Sequence, residues 1–354
     1  MNSRMVSILL LQVHLAAAMS FYSVRIIEAT KAGHWEPIVA GFLLEIICVA
    51  VYLKGLSRSR SKHVIELIKG WLGNWGARLL LAPFAIFTVC RLILLVRHQT
   101  NDISTILLPQ TPPGVISMFY IALTFYAASK GIALIARVSV LIFFLFIPFV
   151  PFSLLISMRN FQFTNIFPLW DATFSFVTQP SFYAGMYAHT GFLFLGLLSV
   201  GQGTPLRKIA PVLTLLALVY LLIVYVPLLI FGQETVEILV HPTLLASDTI
   251  DLEWVVFDWL PTFFIVSSSA LSVLEAAVLI WMFTHLFRKL FVPVPEKWLL
   301  PILALVVYVF SINIPNMATL NRYDSALSVL ALYSIVIIPA ATVLSSFWQR
   351  RRTA

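Results

Sequence analysis

Apolar residues fall in ten long runs separated by short polar stretches, at roughly 6–28, 36–54, 77–97, 113–130, 132–156, 181–201, 207–230, 255–285, 298–315 and 324–347. A run of about 20 apolar residues lets an α-helix cross the hydrocarbon layer of a bilayer. The pattern therefore predicts an all-α polytopic membrane protein of about ten transmembrane helices. Pro37, Pro113, Pro205 and Pro301 stand near predicted span starts, where a missing N–H costs a helix least. Between the second and third runs, Ser57 to Trp75 mixes Val64, Ile65, Leu67, Ile68, Trp71 and Leu72 with Lys62, Glu66 and Lys69. That is the composition of a helix lying in the membrane surface.

Charge orients the bundle, because basic residues collect beside cytoplasmic span ends. With the N-terminus inside, inner connections and ends carry Arg4, Lys54, Arg58, Arg60, Lys62, Lys69, Arg78, Lys130, Arg207, Lys208, Arg288, Lys289, Lys297 and Arg350 to Arg352. Outer connections carry only Lys31, Arg97, Arg159 and Arg322, and Arg25, Arg91 and Arg137 lie within or at the edge of spans. The connection after span 7 runs the other way, with Glu234, Glu237, Asp248, Asp251 and Glu253 and no Lys or Arg. Both termini are thus expected in the cytoplasm.

Of the 354 residues, 60% are hydrophobic and 11% charged, and the mean hydropathy is +0.96. The spans use nearly the whole chain, so 1–354 reads as a single transmembrane domain without room for a soluble catalytic or nucleic-acid domain. The net charge of +8 then reflects orientation and contact with anionic lipid, not nucleic acid. Cys48 and Cys90 both fall inside apolar runs and read as small core residues. Arg4, the run Val6 to Leu15 and then Ala16, Ala17 and Ala18 imitate a secretory signal, but the apolar stretch continues through Met19, Phe21, Tyr22, Val24 and Ile27. It is long enough to span, and is read as span 1.

Ten spans divide into five plus five, a first repeat at about 6–156 and a second at about 181–347. Inverted-repeat, LeuT-like transporters place their binding site at mid-membrane, where the first helix of each half is broken. Here those helices are spans 1 and 6, with candidate weak points at Ala16 to Ser20 and at Ala184, Gly185, His189, Thr190 and Gly191. Small residues serve close helix packing equally well. Ionisable side chains inside a membrane are costly, so each is a candidate for function: His14, Arg25, Glu28, Glu45, Arg91, Arg137, His189, Asp258 and Glu275. Arg25 and Glu28, three apart, read as a local pair. Glu45, Arg91, Arg137 and Glu275 suit interhelical ion pairs or an ion-coupling route. Ser267, Ser268 and Ser269 are candidate ligands for a cation or substrate, although serines in membrane helices usually bond back to their own helix. No metal-ligand spacing, phosphate loop or nucleophile elbow occurs, so no enzyme, cofactor or metal is expected.

The run Leu107-Leu108-Pro109-Gln110-Thr111-Pro112 and the later Tyr126-Ala127-Ala128-Ser129-Lys130-Gly131-Ile132-Ala133-Leu134-Ile135-Ala136-Arg137 resemble a signature of the spore germination receptor B-subunit family. Phe231-Gly232-Gln233-Glu234, His241-Pro242-Thr243-Leu244 and Asn165-Ile166-Phe167-Pro168 resemble its further motifs. The resemblance implies a ten-helix fold of the amino acid–polyamine–organocation transporter superfamily with a small nutrient held where spans 1 and 6 are broken, at Ala18, Met19, Ser20, His189, Thr190, Gly191 and Ser268. It also implies a nutrient-sensing subunit in the inner membrane of bacterial spores, working with an A subunit and a lipoprotein C subunit. The chain departs from the family pattern at Ala133 and Leu193, where the family has Glu, and at Asp258-Trp259, Ala18 and Ser20. The competing expectations are a proton- or sodium-coupled amino acid transporter, with Arg137 as a fixed charge, and a scaffold with a decayed site.

Overall fold

The computed structural model describes residues 2–58, 63–149, 152, 156–198, 206–239, 241–248 and 259–353. Arg60, Lys62, Pro205, Asp251, Glu253 and Asp258 lie outside them. The described residues are helical with no strand. The helices are α1 (Ser3–Ala29), α2 (Trp35–Arg58), α3 (Val64–Asp102), α4 (Pro113–Ser129), α5 (Ile132–Phe146), α6 (Pro180–Gly185), α7 (Leu206–Phe231), α8 (Gln233–Ile238), α9 (Pro242–Asp248), α10 (Trp259–Leu290), α11 (Glu296–Ile312) and α12 (Met317–Thr353).

Six helices, α1, α2, α3, α7, α10 and α12, are long and apolar enough to cross a membrane, and α4 with α5 makes a seventh span if the bent pair counts as one. Hydropathy predicts ten. The difference lies in runs that do not form one long helix. The 17 residues of α4 and of α11 span about 25 Å at 1.5 Å per residue, short of a hydrocarbon layer of about 30 Å. Gly131, at φ +78°, takes a backbone conformation that side chains disfavour and lets the chain turn by 118° between α4 and α5. The predicted span 181–201 is helical only to Gly185 and continues as 3-10 turns over Met186–His189 and Gly191–Leu197. The surface helix expected before span 3 is the start of α3, set off by a kink at Gly73, φ +72°.

α1 and α10 are central, with 72% of their apolar windows buried against 44% for α2 and 50% for α12. α1 packs on α7, α10, α5 and α6, while α3 packs on α10 and α12. Phe119, Leu123, Phe144 and Phe310 are exposed on the outside of the bundle, the surface that lipid covers. Cys48 is buried, and both cysteines are free.

The connections separate into two ends. At one, Lys31 pairs with Glu237, the Trp35 indole donates to the Leu169 carbonyl at 2.9 Å, and Asn165 donates to Leu229 at 3.1 Å. At the other, Arg78 donates to the Leu290 carbonyl at 2.7 Å, Lys208 to Ser3 at 2.6 Å, and Arg58 stacks on Phe347 at 4.9 Å. Each contact joins connections that the charge pattern assigns to one side.

Candidate functional site

α1 is continuous from Ser3 to Ala29, so the break expected at Ala16 to Ser20 does not occur. The reason is local: Ala16, Ala17 and Ala18 are good helix formers, and the Ser20 hydroxyl donates back to the Ala16 carbonyl at 3.0 Å instead of competing with the helix. Ala18 is buried in the packing. The irregular partner is the segment 186–198, where the Thr190 hydroxyl donates to the Tyr187 carbonyl at 2.7 Å. Gly185 precedes the first 3-10 turn and Gly191 opens the second, and His189 between them is 1% exposed.

Around this segment three elements meet through one carboxylate. Glu45 of α2, wholly buried, accepts from or donates to His14 Nε2 of α1 at 2.7 Å and faces His189 Nδ1 at 2.7 Å through its other oxygen. The Tyr220 hydroxyl of α7 points its proton between the carbonyls of His14, at 3.0 Å, and Ala188, at 2.9 Å. Tyr220 and Phe42 pack on the His189 ring, with centroids 5.6 and 4.9 Å away. Two glycines clear the space. A Cβ on Gly191 would stand 2.6 Å from the His14 ring, and one on Gly41 would stand 2.7 Å from His189 Nε2.

A second buried pair joins α3 to α10, Arg91 Nε donating to Glu275 Oε1 at 3.1 Å, with the guanidinium 4.1 Å from the Tyr187 ring centre. Nearer the α1 C-terminus, Asp324 of α12 meets His98 Nε2 at 2.7 Å, and Arg25 reaches Asn321 at 2.9 Å, Glu28 at 3.1 Å and Asp324 at 3.7 Å. Arg25 and Glu28 thus form the local pair expected of them, extended by α12. Arg137 does not join any buried pair. It is exposed on α5 and makes no ion pair among the described residues, so it is not brought together with Glu45 or Glu275.

Five of the ligand-binding residues proposed from sequence divide between two small cavities, and Ala18 and His189 line neither. Thr190 and Gly191 line one of about 20 Å³ with Val13, Ala17, Phe87 and Glu275. Met19, Ser20 and Ser268 line one of about 30 Å³ with Ser23, Asp102 and His241. Each has room for about one or two water molecules, far below the roughly 300 Å³ of a small-molecule pocket, so this conformation is closed. Ser268 bonds back to Ile265 at 3.0 Å, Ser269 donates to Gln99 at 3.2 Å, and the Ser267 hydroxyl is buried without a partner. His241, in the connection before α9, stands 3.6 Å from Asp102. Burial first, and then the neighbouring His98, push the His241 imidazole down to about 4. Among the described residues no cluster of three His, Cys, Asp or Glu side chains is placed to hold a metal ion.

Hydropathy and motif reading missed Tyr220, Tyr22, His98, Asp102 and Asp324. His98 and Asp102 follow Arg97 and look like part of an outer connection, yet α3 carries them into the protein. The one available signal was spacing: Phe21, Arg25 and Glu28 share the face of α1 on which His98, 4.0 Å from Phe21, and Asp324 converge. Leu193, where the family pattern has an acid, is fully buried, and its carbonyl accepts from Tyr52 at 3.2 Å.

A family described as spore germination protein matches residues 1–318, which carry α1 through α11 and all the motifs named above. No curated protein matches the chain. Nine-tenths of the length falls within that match, on a bundle of long apolar helices, and the chain belongs to the spore germination protein family of multi-pass membrane proteins.

Proposed function

We propose that this protein is the nutrient-sensing membrane subunit of a spore germinant receptor, in the inner membrane of the spore, working with an A subunit and a lipoprotein C subunit. An amino acid-type nutrient is held between α1 and the irregular segment 186–198, in a bundle of two five-helix repeats with both termini cytoplasmic. The observation that carries the reading is the irregular backbone of 186–198 against α1, with a small cavity at Thr190 and Gly191 between them. Irregular backbone at membrane depth is tolerated where it is buried in protein or lines a cavity, and a closed conformation that must open to admit ligand supplies the second state that signalling requires. Ligand binding favours the open form only through its higher affinity for it.

A second reading, a proton-coupled amino acid transporter, draws on the buried ionisable pairs His14–Glu45–His189, Arg91–Glu275 and His98–Asp324, since such chains in membrane helices mark proton routes. Uptake of labelled amino acids by the purified chain in liposomes separates the two. Gradient-driven accumulation sinks the pure-receptor reading, and its absence, with nutrient-triggered germination lost in spores carrying His189→Ala or Ser20→Leu, supports it.

A further inference from the structure

The hydrogen bonds of His14 count protons. Its Nδ1 lies 2.8 Å from the Leu10 carbonyl, which can only accept, so Nδ1 carries hydrogen. Its Nε2 lies 2.7 Å from Glu45 Oε1. A neutral imidazole with hydrogen on Nδ1 would turn a lone pair toward a carboxylate oxygen, two wholly buried acceptors in direct contact. One further proton must lie between them, on His14 as imidazolium or on Glu45 as carboxylic acid. His189 needs no extra proton: Nδ1–H donates to Glu45 Oε2 at 2.7 Å, and Nε2 is left without a partner beside Gly41.

We propose that His14, Glu45 and His189 form a binding site for a single proton that latches segment 186–198 to α1 and α2. When the proton leaves to solvent, the acceptors repel at 2.7 Å and the His14–Glu45 contact opens, so that α1 parts from α2 and from the segment whose Gly191 abuts the His14 ring, while His189 stays with Glu45. The cavity at Thr190 and Gly191 lies directly beyond, since Gly191 abuts the His14 ring. The other ionisable groups facing the site are Tyr22 on α1, Cys48 on α2, Tyr187 in the segment itself, Tyr220 on α7, and Arg91 with Glu275 from α3 and α10. Phenols and thiols ordinarily titrate above about 8, and Glu275 is engaged with Arg91, while Asp324, the acid of α12, is engaged with His98. The latch is independent of whether the chain senses or transports.

Amide hydrogen exchange over 186–198 in the full chain in lipid nanodiscs, corrected for the intrinsic pH dependence of exchange, tests the latch. In the wild type, protection is expected to fall by about tenfold or more between about pH 6 and about pH 9, the scale of one charge-assisted hydrogen bond. Glu45→Gln supplies an amide N–H to His14 and an oxygen to His189, and His14→Gln places a neutral donor against the carboxylate. Neither needs the shared proton, so each is expected to hold its protection across the range. Unchanged wild-type protection overturns the proposal, as does either folded variant following the wild-type profile.

Discussion

The two cavities flanking α1 are built on opposite principles. Near Thr190 and Gly191, Glu45 is wholly buried and both of its oxygens are engaged, and glycines at 41 and 191 are cut to the outline of two imidazole rings. Near Ser20 and Ser268, those two hydroxyls back-bond within their own helices, Ser23 of α1 meets Thr243 of α9 at 3.1 Å, and Asp102 and His241 stand too far apart for a hydrogen bond. The first region is held together by a buried carboxylate shared among three elements and yields only if they separate. The second is joined between elements by neutral hydroxyls and yields more easily.

The contrast orders the expected effects of substitution. Glu45→Leu removes the partner of two buried imidazoles and is expected to cost about 3–5 kcal/mol, read as a lowered midpoint of thermal unfolding. A loss under about 1 kcal/mol would mean that the first region is no tighter than the second. Gly191→Ala forces its methyl against the His14 ring and is expected to cost about 1–3 kcal/mol, recovered in part by His14→Ala in a double-mutant cycle. In the second region, acidification is the sharper probe. With the His241 imidazole held down at about 4 against an ordinary value of about 6.5, docking of 241–248 is at full strength above about 6.5 and weakens as the pH falls toward about 4. Protease susceptibility of this connection should rise over that interval in the wild type and stay level in His241→Gln. Ser20→Ala loses a single hydrogen bond within one helix, so an unfolding shift within about 1 kcal/mol is expected. Arg137→Gln, on the exposed face of α5, is expected to stay within about 0.5 kcal/mol.

Much of this was legible in the sequence for a definite reason. Apolar runs report burial or lipid contact residue by residue, so α1, α2, α3, α7, α10 and α12 follow from hydropathy. Where the run is interrupted by small residues, as at Ala184 to Gly191, hydropathy still reads a span, because it does not distinguish an α-helix from 3-10 turns. The small residues of α1 are alanines and Ser20, which left the helix intact, whereas 184–191 contains Gly185 and Gly191, which favour the helix less.

By itself the sequence determined that the chain is a helical membrane protein, which connections share an end of the bundle, and the family motifs, all properties carried by local composition and charge. Only the tertiary structure decided the partners: that Glu45 meets His14 and His189 and not Arg137, that Arg91 meets Glu275, and that Asp324 meets His98. Ion pairs between helices join residues as far apart in the chain as Arg25 and Asp324, and their choice depends on how each helix is rotated about its axis. That rotation is set by packing over the whole bundle, so no window of sequence contains it.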